Sequence, residues 1–202
     1  MLERTVSFSL EESNKGKKDT LPGKVHPPLE GIPQMDILLI LNAQNSFLDR
    51  TGSVYLGDKA EIFKVRLKDY LKECGVKRIF FREKHGLQDD FFTRDQTHSI
   101  VTTNDFQIPE DLIQYADIIY DKTRYNALYN TGIEDYLKRE KIKTVGLCGI
   151  ETHTSILFTA EDLRNRGYQV EVIEPLAVSR SEHLHSYAIL LMGDFLGVRI
   201  ES

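Results

Sequence analysis

The sequence predicts a three-layer α/β domain built on a parallel sheet, and three observations lead there. Short apolar runs recur along the chain, and amphipathic segments of helical period lie between most of them. The runs are apolar at successive positions, so both faces of each strand need cover, which helices above and below a parallel sheet provide. The length of 202 residues fits one domain of roughly 100–200 residues.

In chain order, the predicted strands cover residues 37–41, 76–81, 117–120, 144–148, 170–173 and 198–200. Residues 59–74 carry Ile62, Val65, Leu67 and Leu71 on a predicted helix that stops at Gly75, read as a left-handed cap. Thr131 and Glu134 have the capping-box spacing that opens a helix running to Lys141. Residues 152–166 place Ile156, Leu157, Ala160 and Leu163 on one stripe, ending at Gly167. Ser181 caps a last helix bearing Leu184, Ala188, Leu191 and Phe195. Residues 1–35 differ from the rest. Pro22, Pro27, Pro28 and Pro33 and the basic run Lys15-Gly16-Lys17-Lys18 predict an extended arm ahead of a domain over 36–202.

Composition narrows the function. Hydrophobic residues make up 41% and charged residues 28%, an ordinary globular balance. A net charge of −5 offers no general field for nucleic acid or anionic membrane. The longest aliphatic run, Ile37 to Leu41, is far short of the roughly 20 residues that span a bilayer. The first residues lack the apolar stretch of a secretory signal. Cys74 and Cys148 are too few for a disulfide framework. The expectation is a cytoplasmic protein acting on a small molecule, with neither nucleic acid nor membrane as partner.

Ligands of parallel sheets sit beyond the carboxyl ends of the strands. The residues there are Asn42-Ala43-Gln44-Asn45, Arg82 to His85, Asp121 to Tyr125, and Gly149 to Ser155. Ser155 falls in the first turn of a predicted helix, where free N–H groups favour developing negative charge. That placement suits an acyl-transfer nucleophile and equally a helix cap. Lys122 leaves a buried strand, where it serves as an anion anchor or proton carrier, or is simply solvated.

These strand ends resemble the isochorismatase-like hydrolases. Leu38 through Phe47 resembles a strand followed by Asp-x-Gln-Asn-x-Phe, and Lys122-Thr123-Arg124-Tyr125-Asn126-Ala127 resembles Lys-x-x-x-Ser-Ala. Gly149 through Ala160 resembles the helix that carries the family's cysteine, and Ser179-Arg180-Ser181-Glu182-His183 resembles the entry to its closing helix. The resemblance runs from about Asp36 to Ile200. It implies six strands in order 3-2-1-4-5-6, a homodimer or larger assembly, and a cleft for small amides or vinyl ethers.

The resemblance also implies a triad of Asp, Lys and Cys. Position by position the Asp falls on Asn42, the Lys on Lys122 and the Cys on Ser155, so only the lysine is kept. Cys148 sits seven residues before Ser155, inside a strand, and reads as structural. A serine hydroxyl needs a base to activate it, and the Asn42 amide cannot carry a proton as a carboxyl does. One alternative is a serine–lysine dyad, in which Lys122, without that charged partner and neutral through burial, pairs with Ser155, with backbone N–H groups around Glu151 and Ser155 as the oxyanion site. Phe47, Arg82, Tyr125, Glu151 and Thr152 are expected to contact substrate.

One branch of the family holds a divalent metal through Asp-x-His after the second strand and a later His. Here Glu83-Lys84-His85 and His98 occupy those places. Exposed loop residues are the expectation, with no cofactor. His183 and His185 are expected on the solvent face of the last helix. Two functions remain: a hydrolase with an Asn-Lys-Ser triad, and a catalytically inactive family member that binds a metabolite or a protein.

Overall fold

The computed structural model describes residues 35–89 and 97–202. Except for Met35, the arm expected over residues 1–35 lies outside them. The strands are β1 (Ile37–Leu41), β2 (Lys77–Glu83), β3 (Ile118–Lys122), β4 (Thr144–Ile150), β5 (Gln169–Val178) and β6 (Arg199–Glu201). They form one parallel sheet in the order β3-β2-β1-β4-β5-β6. The expected fold class and strand order are both observed. β2 to β6 all run past the predicted apolar stretches at their carboxyl ends, which in β2 and β3 carries Glu83 and Lys122 into the sheet rather than into loops.

Each face of the sheet has its own core. Leu38, Ile40 and Phe80 pack with Phe47, Phe63 and Leu67 on one side. Ile37, Leu39, Leu41 and Val145 pack with Leu137, Ile156, Ala160 and Leu163 on the other. A strand apolar at consecutive positions therefore serves two layers, which is the physical content of the sequence pattern.

The helices are α1 (Asn45–Leu48), α2 (Asp58–Glu73), α3 (Glu110–Ile113), α4 (Ile133–Arg139), α5 (Leu157–Asn165) and α6 (Glu182–Leu190). A π turn over Thr152–Ile156 leads into α5, and another over Leu191–Phe195 follows α6. None is long and apolar enough to cross a membrane among the described residues.

Four details of the helix reading change. On α2 the buried stripe is Ala60, Phe63, Leu67 and Leu71, while Ile62 and Val65 are 52% and 57% exposed. Spacings of three and four keep the first set on one face, and Ile62 and Val65 fall off it. Gly75 is not left-handed, and the helix ends at an extended Cys74. The capping box does not form on α4. Gly132 is its N-cap, Thr131 Oγ1 turns to the carbonyl of Ala127, and Glu134 pairs with Lys138 and Arg166. On α6, Ser181 caps as expected, accepting from the Leu184 N–H at 3.3 Å. But only Ala188 of the expected stripe is buried there, and Leu184, Leu191 and Phe195 face outward.

Gly149 fixes how closely β4 approaches β1. It has φ +124°, and a Cβ there would lie 2.0 Å from the Leu41 carbonyl oxygen. Only glycine permits that backbone and that approach.

Candidate active site

β1 ends at Leu41, and the chain turns sharply through Asn42 in the left-handed conformation, φ +56°. Asparagine tolerates this region better than most residues, and the turn is tied to β2 by the Asn42 N–H donating to the Phe81 carbonyl at 2.9 Å. Gln44 then clamps the end of β2. Its Nε2 donates to the Glu83 and Phe106 carbonyls, both at 2.9 Å, and its Oε1 accepts from the Glu83 N–H at 2.6 Å. The parallel register sets Glu83 of β2 directly beside Lys122 of β3. Ser155 arrives from the other side, in the π turn that follows β4.

Four side chains from four strand ends thus meet in one buried cluster. Glu83 Oε1 accepts from Lys122 Nζ at 2.8 Å, Asn42 Nδ2 at 2.9 Å and Ser155 Oγ at 3.2 Å. Ser155 Oγ also accepts from Asn42 Nδ2 at 2.9 Å and Lys122 Nζ at 3.2 Å. Asn42, Lys122 and Ser155 are each at most 1% exposed. The three expected catalytic positions come together, and Glu83 joins them.

Lys122 keeps a charged partner, the Glu83 carboxylate, which raises its pKa against burial, while burial, the larger effect, still holds that pKa below the ordinary lysine value. For Glu83, burial pushes the carboxyl up, while Lys122 and His98 together overcome this and hold it below the usual carboxylate range. The carboxylate of this cluster is Glu83, at the end of β2, and position 42 contributes an amide.

Beside the cluster lies a cavity of about 290 Å³ lined by Asn42 and Glu83, by Phe47, His98, Tyr125 and Leu184, and by Glu151, His153, Thr154, Arg180 and Ser181. Of the residues expected to contact substrate, Phe47, Tyr125 and Glu151 line this cavity. Phe47 meets His98 edge-on at 5.2 Å, and Tyr125 stacks on Phe158 at 6.0 Å. Arg180 is hydrogen-bonded to Glu151, and His153 Nδ1 pairs with Ser179 Oγ at 2.8 Å.

Two expected ligand contacts lie elsewhere. Arg82 is ion-paired to Asp121 at 2.7 Å and sits over the Phe106 ring at 4.1 Å, because its side chain leaves the opposite face of β2 from Glu83. Thr152 Oγ1 pairs with His185 Nδ1 at 2.9 Å. His185 is thereby turned inward from the solvent face where it was expected. Cys148 is fully buried, which pushes its thiol pKa up, in keeping with a structural role.

Glu83, His85 and His98 bring one ligand atom each within 4.8 Å of one another. They are not the exposed loop groups the sequence predicts: Glu83 and His85 are buried, and His98 is half-buried beside them. Charge decides how well this donor set suits a resident divalent ion. Glu83 is the single carboxylate of the three. Lys122 already neutralises it, its Oε1 serves three donors, and its Oε2 bonds His98 Nε2 at 2.7 Å. A dication there would face a buried ammonium across the single carboxylate of the donor set, since the Asp89 carboxylate lies behind His85, at 2.9 Å from its Nδ1, and Glu83 is already shared, which is a costly arrangement. The described residues do not fit a resident divalent ion while position 42 is an amide.

Similarity to known proteins places the chain. The isochorismatase domain model matches residues 36–201, and the chain belongs to that family. Among its relatives is the uncharacterized isochorismatase family protein PncA of Bacillus subtilis, 29% identical over 177 residues, 81% of this chain and 97% of the relative. Solved structures agree on the fold. The nicotinamidase PncA from Bacillus subtilis superposes with a TM-score of 0.73 at 24% identity, covering 84% of this chain and all of that one. The pyrazinamidase/nicotinamidase from Streptococcus mutans gives 0.69 at 27%, covering 81% and 98%. The pyrazinamidase of Pyrococcus horikoshii, in complex with zinc, gives 0.73 at 20%, covering 83% and 98%.

Sequence reasoning missed Glu83 as a member of the cluster and Gln44 as its clamp. The signal for Glu83 was present: a carboxylate at a strand's carboxyl end, beside a strand that ends in lysine. Pairing the two requires the register of β2 and β3, which no local pattern gives.

Proposed function

We propose that this chain is a hydrolase of small carbonyl metabolites, with Ser155 as nucleophile, Lys122 as the fixed cation of the site, and Asn42 as the donor that positions the serine. The observation that carries the reading is the contact of Ser155 Oγ with both a cation and a carboxylate. A nucleophile within hydrogen-bond reach of a base is the arrangement acyl transfer needs. The helix that begins beside Ser155 favours negative charge on an oxyanion.

Asn42 favours an amide over a vinyl ether. Its Nδ2 is committed to two partners, and its Oδ1 is the one buried side-chain polar atom without a hydrogen bond among the described residues. An unsatisfied buried acceptor costs about 1–3 kcal/mol. Asn42 lines the cavity, so an N–H on the ligand recovers that cost. The pyrazinamidase/nicotinamidase from Streptococcus mutans is named for substrates of the same amide class. The protein is further proposed to be cytoplasmic, to work without a cofactor and to form a homodimer or larger homo-oligomer.

A second reading has its own observation. Ser155 Oγ is fully buried and accepts two hydrogen bonds, from Asn42 and Lys122, which occupies both of its lone pairs. That arrangement favours a silent binding module. A turnover screen decides between them. Purified protein and Ser155→Ala are incubated with nicotinamide, isochorismate and a panel of small amides and esters, with products read by mass spectrometry. Product that falls at least about 100-fold in the variant supports the hydrolase. No serine-dependent product supports the binding module.

A further inference from the structure

We infer that Glu83 is a catalytic residue: it carries the proton that Asn42 cannot, and that duty takes it from any cation at His85 and His98. The inference rests on the hydrolase reading. Asn42, Lys122 and Ser155 all point their hydrogens at one oxygen, Glu83 Oε1, at 2.9, 2.8 and 3.2 Å. An amide, an ammonium and a hydroxyl converge in this way on a carboxylate that is the acceptor of the group. Gln44 fixes both backbone polar groups of Glu83, so the side chain is aimed by the strand end rather than by chance.

The chemistry balances with these groups alone. Ser155 Oγ attacks the substrate carbonyl carbon, the Oγ–C bond forms, and the serine proton passes to Glu83 Oε1 while the carbonyl electrons move onto oxygen. As the tetrahedral species collapses, the bond from carbon to the leaving nitrogen breaks, and Glu83 returns the proton to that nitrogen. Water then attacks the seryl ester, gives a proton to Glu83, and the carboxylic acid leaves as that proton returns to Ser155. Lys122 stays protonated throughout and keeps the buried carboxylate neutralised. The neighbours that hold Glu83 ionised also weaken it as a base, so slow turnover is expected.

The same sharing predicts the metal behaviour. One negative charge cannot serve both Lys122 and a dication. Asn42→Asp supplies a second carboxylate at the cluster and frees Glu83 towards His85 and His98.

The test uses the full chain and two readouts. Methanesulfonyl fluoride reports serine activation, since the S–O bond forms as fluoride leaves and the serine proton goes to the base. Labelling is followed by intact mass and localised by digestion. The parent is expected to label at Ser155, and Glu83→Gln, shown to be folded by circular dichroism, at least about 100-fold more slowly. Zinc affinity is measured for parent and Asn42→Asp by competition with a chromophoric chelator, with at least about 10-fold tighter binding expected in the variant. Equal labelling of parent and Glu83→Gln would overturn the proton-carrying role and leave Ser155 as nucleophile. An unlabelled parent sinks the nucleophile reading, and with it Glu83 as its base. Parent zinc binding as tight as that of Asn42→Asp refutes the diversion of Glu83 whatever the labelling shows.

Discussion

Replacing Lys122 by methionine tests whether Glu83 and Lys122 form one electrostatic unit. Both are buried, and their charged atoms lie 2.8 Å apart. Removing one member of such a pair strands the other charge and costs about 3–5 kcal/mol, whereas replacing both by neutral groups is often nearly neutral. For a domain of this size, roughly 2–4 °C of melting temperature accompanies each kcal/mol, so Lys122→Met is expected to melt about 6–20 °C lower. The double variant Lys122→Met with Glu83→Gln should recover most of that loss. Urea unfolding followed by circular dichroism gives the four free energies of the cycle. The pH dependence has a definite sign. In the parent Glu83 is held below its ordinary pKa, so the pair contributes stability above that value and loses it as pH falls through the folded one. Without Lys122, burial dominates and raises the carboxyl pKa, so protonation relieves the stranded charge and the variant's deficit shrinks towards acid pH. The reasoning is refuted if Lys122→Met unfolds within about 1 kcal/mol of the parent, or if the double variant is as unstable as the single one.

Other expectations follow from the packing. Phe63→Ala should cost about 3–5 kcal/mol in urea unfolding, while Ile62→Ser stays within about 0.5 kcal/mol; equal losses would contradict the observed face of α2. Gly149→Ala, which drives a Cβ into the Leu41 carbonyl, should cost at least about 3 kcal/mol or prevent soluble folding, and a parent-like melting curve would count against that approach. Burial and a hydrogen bond with Glu201 push the Glu171 carboxyl up to about 7, against the pull of Arg199. Its contribution is present at acid pH and lost as pH rises through about 7, so Glu171→Gln should flatten the decline between about pH 4.5 and 7 in thermal scans; an unchanged slope would exclude Glu171 as its source. With iodoacetamide, Cys74 should react in the native protein and Cys148 only after unfolding, and early modification of Cys148 would contradict its burial.

The layers of this protein were legible in the chain because they rest on local chemistry. Consecutive apolar residues at 37–41 and 144–148 name strands buried on both faces, and Ser181 names a cap that holds. The strand ends then mark where a ligand site must lie, and Asn42, Lys122 and Ser155 were found there. What the chain alone could not show was which polar groups meet. Glu83 and Lys122 are neighbours through the register of two strands far apart in sequence. The same register, with the clamp from Gln44, turns a carboxylate that reads locally as a loop group into the acceptor of the whole cluster. Ile62, Val65 and the outer face of α6 failed for a related reason: periodicity says that a helix has an apolar stripe, but the neighbours decide which stripe is covered. Polar identity is written residue by residue, whereas charge compensation in a buried site is a sum over contacts that exist only once the strands are side by side.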